Sequence, residues 1–158
     1  MGIGTGQLGR IGVLMGGISS EREISLKSGR AVVDALVRQR QEAVALDITN
    51  DNEADIEALV RDSGMDIAFI ALHGRFGEDG GIQKILEKAG MPYTGSGVEA
   101  SRLAFDKSAA QKLFKKHGIQ TPSCATLSRA DWPDIEARAA LVGSFPMIVK
   151  PCCQGSSI

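Results

Sequence analysis

IAFIALHGRFGEDGG, residues 67–81, is the stretch whose reading decides the fold. Residues 67–72 are apolar without alternation, so they predict a strand buried on both faces, the kind that suits the centre of a parallel sheet. The run empties into HGRFGEDGG, a loop with four glycines. Such a loop allows close backbone approach to a ligand. Beyond it, Ile82, Ile85, Leu86 and Ala89 recur at helical spacing, and Gly90 and Pro92 end that helix. Residues 91–94 read as a short strand.

Working backwards, IGVLM at 11–15 is another short apolar run, and it ends at Gly16-Gly17. Ser20 and Glu23 have capping-box spacing. Ile24, Ser28, Ala31, Val32, Ala35 and Leu36 then predict a helix over about 21–40. Residues 43–48 read as a strand. Residues 55–63 read as a helix with Ile56, Leu59 and Val60 on one face and Gly64 as its stop. Strands alternating with helices imply βαβ units, an α/β class and a Rossmann-like parallel sheet. Ligands in such sheets bind beyond the carboxyl ends of the strands, where both glycine-rich loops fall.

After about residue 96 the pattern changes. A helix is expected over 106–117 with Gly118 as its stop, a strand over 123–127, a helix over 131–142 and a strand over 146–150. PCCQGSSI follows. A Gly-Ser-Ser loop after a strand should lead into another strand, so this second unit reads as incomplete. The organisation expected is a mobile leader at 1–10, an N-terminal α/β domain at 11–96 and the start of a second domain at 97–158.

Composition narrows the class. The chain has 158 residues, 43% of them hydrophobic, and a formal net charge of -1. That allows one or two small cores and gives no bulk electrostatic case for nucleic acid or an acidic membrane. No apolar run nears the roughly 18 residues of a membrane span. MGIGTGQLGR lacks the apolar core of a signal peptide, so a soluble, cytoplasmic protein is expected. Cys124, Cys152 and Cys153 are odd in number and two are adjacent, which reads as free thiols rather than a disulfide framework. Gly4-Thr-Gly6-Gln-Leu-Gly9 has the letters of a dinucleotide fingerprint but not its context: only three residues precede it, and a strand rather than a helix follows.

Four side chains carry chemistry at these positions, each beside a plainer reading. Glu21 opens the first helix after the Gly-Gly turn. Its carboxylate either complements the helix dipole or grips a substrate ammonium. His73 leaves the strongest strand among Arg75, Glu78 and Asp79, as a structural histidine or a site residue. Asp79 also suits a helix cap near Gly80. Lys107 stands in a helix's first turn, where a cation is mildly unfavourable, so it is a snorkelling surface lysine or a phosphate ligand. Lys150 ends an apolar run and, if buried there, needs an anionic partner. Gly155-Ser156-Ser157 has the small residues of a phosphate lid.

Four strings occur in order: GGISSEREISLKSG (16–29), ALHGRFGEDGGIQ (71–83), PYTGSG (92–97) with Asp106-Lys107, and FPMIVKPCCQGSS (145–157). Together they resemble the D-alanine–D-alanine ligases of the ATP-grasp superfamily, over nearly all of residues 11–158. The resemblance implies an N-terminal α/β substrate domain followed by the start of an ATP-grasp central domain. It implies that Glu21 holds the ammonium of the first D-alanine and that His73 lies beside that substrate. Lys107 and Lys150 would contact ATP phosphates. Ser156 would join a hydrogen-bond network with Glu21 from a mobile loop. The activity implied is ATP-dependent joining of two D-alanines through an acyl phosphate, for peptidoglycan synthesis. ATP and Mg²⁺ (or Mn²⁺) are implied, with the metal's ligands beyond residue 158 and none in this chain, so the 158-residue chain alone is expected to be inactive. A homodimer is implied as well. The alternatives are a non-catalytic binding or dimerisation fragment and a D-alanine–D-lactate ligase. Pro151-Cys152-Cys153-Gln154 departs from the charged residues usual before Gly-Ser-Ser in this family.

Overall fold

The computed structural model describes residues 8–143 and 145–155. Residues up to Arg102, with Gly155, form one compact unit, and Leu103–Gln154 form a second.

The first unit is built on β1 (Ile11–Gly16), β2 (Ala43–Ile48) and β3 (Ile67–Ile70), all parallel, in the order β2-β1-β3. The register runs from Ile11↔Ala43 to Gly16↔Ile48 on one side of β1. On the other side it runs from Ile11↔Ile67 to Leu14↔Ile70. β1 therefore holds the centre and is buried at all six positions. The expected central run, 67–72, is β3 beside it. The ladder ends at Ile70, and Ala71 and Leu72 continue as buried loop. Beyond β3 the expected strand at 91–94 is reduced to one bridge, Ala68↔Tyr93. Thr94 reinforces it by accepting from the Ile70 N–H through Oγ1 at 3.1 Å.

Alternation along β1 sorts the helices into two layers. Ile11, Val13 and Met15 pack with Leu26, Val32, Val33 and Leu36 of α1 (Arg22–Arg38). Leu14 points the other way, into the larger core with Ile56 and Val60 of α2 (Glu53–Asp62) and Ile82, Ile85 and Leu86 of α3 (Gly81–Lys88). Two glycines permit this closeness. A Cβ on Gly29 would lie 2.5 Å from the Met15 Cβ, so α1 can approach the sheet only without a side chain there. A Cβ on Gly12 would collide with the Met65 side chain on the opposite face.

The expected stops hold. Gly64, Gly90 and Gly118 each take a positive φ just past a helix end. The expected capping box does not form. Glu21 is the N-cap of α1 and makes no side-chain cap hydrogen bond, and its own N–H is taken by Ser19 Oγ at 3.2 Å. Asp79 does act near α3, accepting from the Gly81 N–H at 3.0 Å.

On the outer face, Lys88 of α3 reaches Glu53 at 3.0 Å and Glu57 at 2.6 Å on α2. The Lys88 hydrogen bond, then the charge of Lys84, holds the Glu53 carboxyl below its usual range. A depressed carboxyl contributes stability above its unfolded pKa and loses it as pH falls through the folded value. The stability gap between wild type and Lys88→Met should therefore be small at neutral pH and smaller still in acid. Urea titrations at several pH values check this, and a gap that widens in acid contradicts it.

The second unit contains α5 (Lys107–Lys116), a short 3-10 helix (Arg129–Asp134) and α6 (Ile135–Ala140). The helix expected over 131–142 is thus split, with Pro133 inside its first part. α4 (Val98–Phe105), not expected from the sequence, precedes α5. The strands expected over 123–127 and 146–150 are absent among the described residues. An apolar, β-prone segment becomes a strand only where a ladder partner exists. Here Ile148 and Val149 are 81% and 93% exposed instead.

Candidate functional site

β2 and β3 lie on opposite sides of β1, so the chain reverses its direction of travel across the sheet between them. That is the switch point at which open parallel sheets leave a crevice beyond the strand ends. Two of the predicted site residues arrive there, Glu21 just after β1 and His73 just after β3.

Serines tie the two exits together. The hydroxyl of Ser25, fully buried on α1, accepts from the Gly16 N–H at 2.9 Å and donates to the Ala71 carbonyl at 2.8 Å. Both backbone groups sit where a ladder has run out. Ser19 Oγ donates to the His73 carbonyl at 2.8 Å while it accepts from the Glu21 N–H. One hydroxyl thus spans the two site-bearing segments.

The Glu21 carboxylate lies against backbone without side chains. A Cβ on Gly74 would meet Glu21 Oε2, and a Cβ on Gly155 would meet the same oxygen. Gly74 also has φ +69, which an L side chain would strain. The Glu21 carboxylate oxygen thus lies close to two glycine backbones, and a side chain at either position would displace it.

His73 is about one-third exposed, and both of its ring nitrogens face a polar side chain. Nε2 lies 2.9 Å from Ser28 Oγ on α1, and Nδ1 lies 3.7 Å from Glu78 Oε1 in the loop. The Gly16-Gly17 turn is braced separately. Arg22 forms a two-pronged pair with Asp47 at 2.9 and 2.8 Å and also donates to the carbonyls of Ile48 and Gly17. The Asp47 hydrogen bond pushes the guanidinium pKa up.

Lys107 and Lys150 belong to the second unit. Lys107 Nζ donates to the Gln154 carbonyl at 2.6 Å, and its backbone N–H donates to the Cys152 carbonyl at 3.1 Å. Lys107 therefore clasps the loop that leads to the Gly-Ser-Ser segment. Asp106 caps α5 just before it, accepting from Ser108 and Ala109. Lys150 is exposed, so the inference from strand burial to an anionic partner does not hold for it. Ser156 lies outside the described residues, as do Gly4 and Gly6 of the glycine-rich leader. Cys124, Cys152 and Cys153 are free thiols. Among the described residues no group of three His, Cys, Asp or Glu side chains could hold a metal. No helix among them is long and apolar enough to cross a membrane.

From the sequence alone, Ser28 reads only as a position on the helix, and Ser19 and Ser25 are not singled out. Their one visible signal is spacing: Ser25 and Gly29 stand four apart on the helix face that meets β1.

A family model described as "D-ala D-ala ligase N-terminus" matches residues 10–62 and 51–96. The D-alanine–D-alanine ligase of Desulforudis audaxviator is 49% identical over 149 residues, 94% of this chain and 47% of that protein. That of Cupriavidus taiwanensis is 51% identical over 151 residues, 96% of this chain and 44% of that protein. Among solved structures, the D-alanine–D-alanine ligase of Bacillus anthracis complexed with ATP superposes with a TM-score of 0.71 at 32% identity. It covers 92% of this chain and 48% of that one. The VanG D-Ala:D-Ser ligase of Enterococcus faecalis superposes with a TM-score of 0.71 at 27% identity, over 94% of this chain and 53% of that one. The chain thus spans about half the length of the relatives it matches.

Proposed function

Because this chain belongs to the D-alanine–D-alanine ligase family through its N-terminal α/β domain, we propose that it serves an ATP-dependent ligase that joins two D-alanines. Residues 11–96 are the substrate domain of that enzyme, and residues 97–158 open its ATP-grasp central domain. The observation that carries the reading is the convergence of Glu21 and His73 on the exits of adjacent strands, linked by the Ser19 hydroxyl.

The reaction runs in two steps. The carboxylate of the first D-alanine attacks the γ-phosphorus of ATP, and ADP leaves. The amine of the second D-alanine attacks the acyl phosphate carbon, phosphate leaves and the nitrogen gives up a proton. In this reading Glu21 binds the ammonium of the first D-alanine by a charge-assisted hydrogen bond. That leaves the substrate's carboxylate free to react. His73 flanks the same substrate. Lys107 and Lys150 offset the negative charge of the phosphates, and Ser156 joins the Glu21 network. The described residues offer no cluster for Mg²⁺, and no role here depends on one.

The test is a protein carrying this sequence at the length of its relatives. With ATP and D-alanine it should release phosphate and form D-alanyl-D-alanine in equal amounts. ATP turnover without dipeptide refutes the ligase reading. Preference for D-lactate or D-serine as the second substrate refutes the dipeptide assignment alone. The same protein should sediment as a homodimer at micromolar concentration, and a monomer refutes that part.

A further inference from the structure

We propose that Ser28 is a positioning residue that fixes the His73 ring proton on Nε2 and so leaves Nδ1, facing Glu78, as the working nitrogen of the imidazole. This deepens the substrate-contact reading of His73 and rests on it for its functional meaning.

The argument turns on a single proton. Ser28 Oγ lies 2.9 Å from the Ile24 carbonyl and 3.2 Å from the Ser25 carbonyl, both on its own helix. It also lies 2.9 Å from His73 Nε2. A hydroxyl carries one hydrogen and two lone pairs, and a carbonyl can only accept. If the hydrogen went to Nε2, the serine oxygen would face the Ile24 carbonyl at 2.9 Å with no proton between two lone pairs. If it goes to the Ile24 carbonyl, both contacts of the hydroxyl are satisfied: Nε2–H donates to Oγ, and Oγ–H donates to the helix. The ring is then anchored to α1 through a donor chain ending on backbone.

The other nitrogen follows. With Nε2 protonated, Nδ1 of the neutral ring carries the lone pair and faces the Glu78 carboxylate at 3.7 Å. That contact becomes attractive only when Nδ1 takes a proton, so Nδ1 is the atom at which the ring gains or gives one. The opposite order, a proton on Nδ1 toward Glu78 with Ser28 donating to Nε2, is the Ser–His–acid relay of a nucleophilic enzyme. The helix carbonyls, by claiming the Ser28 hydrogen, oppose it.

The chain has two histidines, and His117 is exposed at the end of α5. Long-range ¹H–¹⁵N spectra of the chain in mildly alkaline buffer therefore show two rings, with His117 as the internal reference. The expected result is a His73 ring with its proton on Nε2 and slowed exchange of that proton. Ser28→Ala should speed the exchange about tenfold, the factor that one hydrogen bond of ordinary net strength supplies. Ser28→Thr keeps the hydroxyl and should restore the slow exchange, while Glu78→Gln should leave the proton on Nε2. A proton on Nδ1 in the wild type, or unchanged exchange in Ser28→Ala, overturns the proposal. No substrate enters these spectra, so their outcome is independent of whether the ligase reading stands.

Discussion

Ser25→Ala should lower the unfolding free energy by about 2–6 kcal/mol, out of the roughly 5–15 that small domains possess. The side chain is fully buried and serves two backbone groups at once, the Gly16 N–H and the Ala71 carbonyl. Alanine offers neither an acceptor nor a donor. Each orphaned buried group forfeits its hydrogen bond and keeps its desolvation cost, about 1–3 kcal/mol apiece. The missing oxygen is also too small a void to admit a water that would bridge them without further movement. Ser28→Ala is the comparison, because Ser28 is only half-buried and its carbonyl partners keep their helix bonds; its loss should stay within about 1 kcal/mol. Urea unfolding of both variants separates them. A Ser25→Ala protein within a few tenths of a kcal/mol of wild type would show that the serine bridge does not hold the strand exits.

That bridge marks the boundary of what the sequence alone discloses. β1, β2, β3 and the helices after them were legible because burial repeats with the period of the element, as Ile11, Val13 and Met15 do on one side of β1 and Leu14 on the other. The helix stops were legible because Gly64, Gly90 and Gly118 need φ values other residues avoid. The contacts that shape the candidate site have no such local signature. Ser25 reaches residue 71, Ser19 and Ser28 reach residue 73, and Arg22 reaches residue 47. Polar pairs of that separation form only after the strands have been ordered side by side. α4 escaped notice for a related reason: Ser101 is its buried residue, so its inward face is not an apolar stripe. Residues 123–127 and 146–150 failed in the opposite sense. Their composition is right for strands, yet a strand is a property of a pair, and local pattern says nothing about the partner.

Position can be read from the sequence where partnership cannot, and Glu21 is the case with the largest expected consequence. In a protein carrying this chain at the length of its relatives, Glu21→Gln should cost about 2–4 kcal/mol of transition-state binding, roughly 30- to 1,000-fold in kcat/KM for the first D-alanine. Glutamine keeps the shape that fits against Gly74 and Gly155. It removes the charge that a substrate ammonium would meet. ATP affinity should change little in that variant, because the phosphate contacts are assigned to Lys107 and Lys150, and Lys150→Met should show the reverse pattern. The second reading of Glu21 is a purely structural one. The residue is the N-cap of α1, its side chain makes no cap hydrogen bond, and the dipole interaction open to a purely structural role is worth about 0.3–1 kcal/mol. That role predicts a small drop in melting temperature with nearly normal kinetics. Steady-state kinetics with each substrate varied in turn, alongside a melting curve, tells the two apart. A folded Glu21→Gln enzyme with wild-type dependence on D-alanine would remove Glu21 from the substrate site.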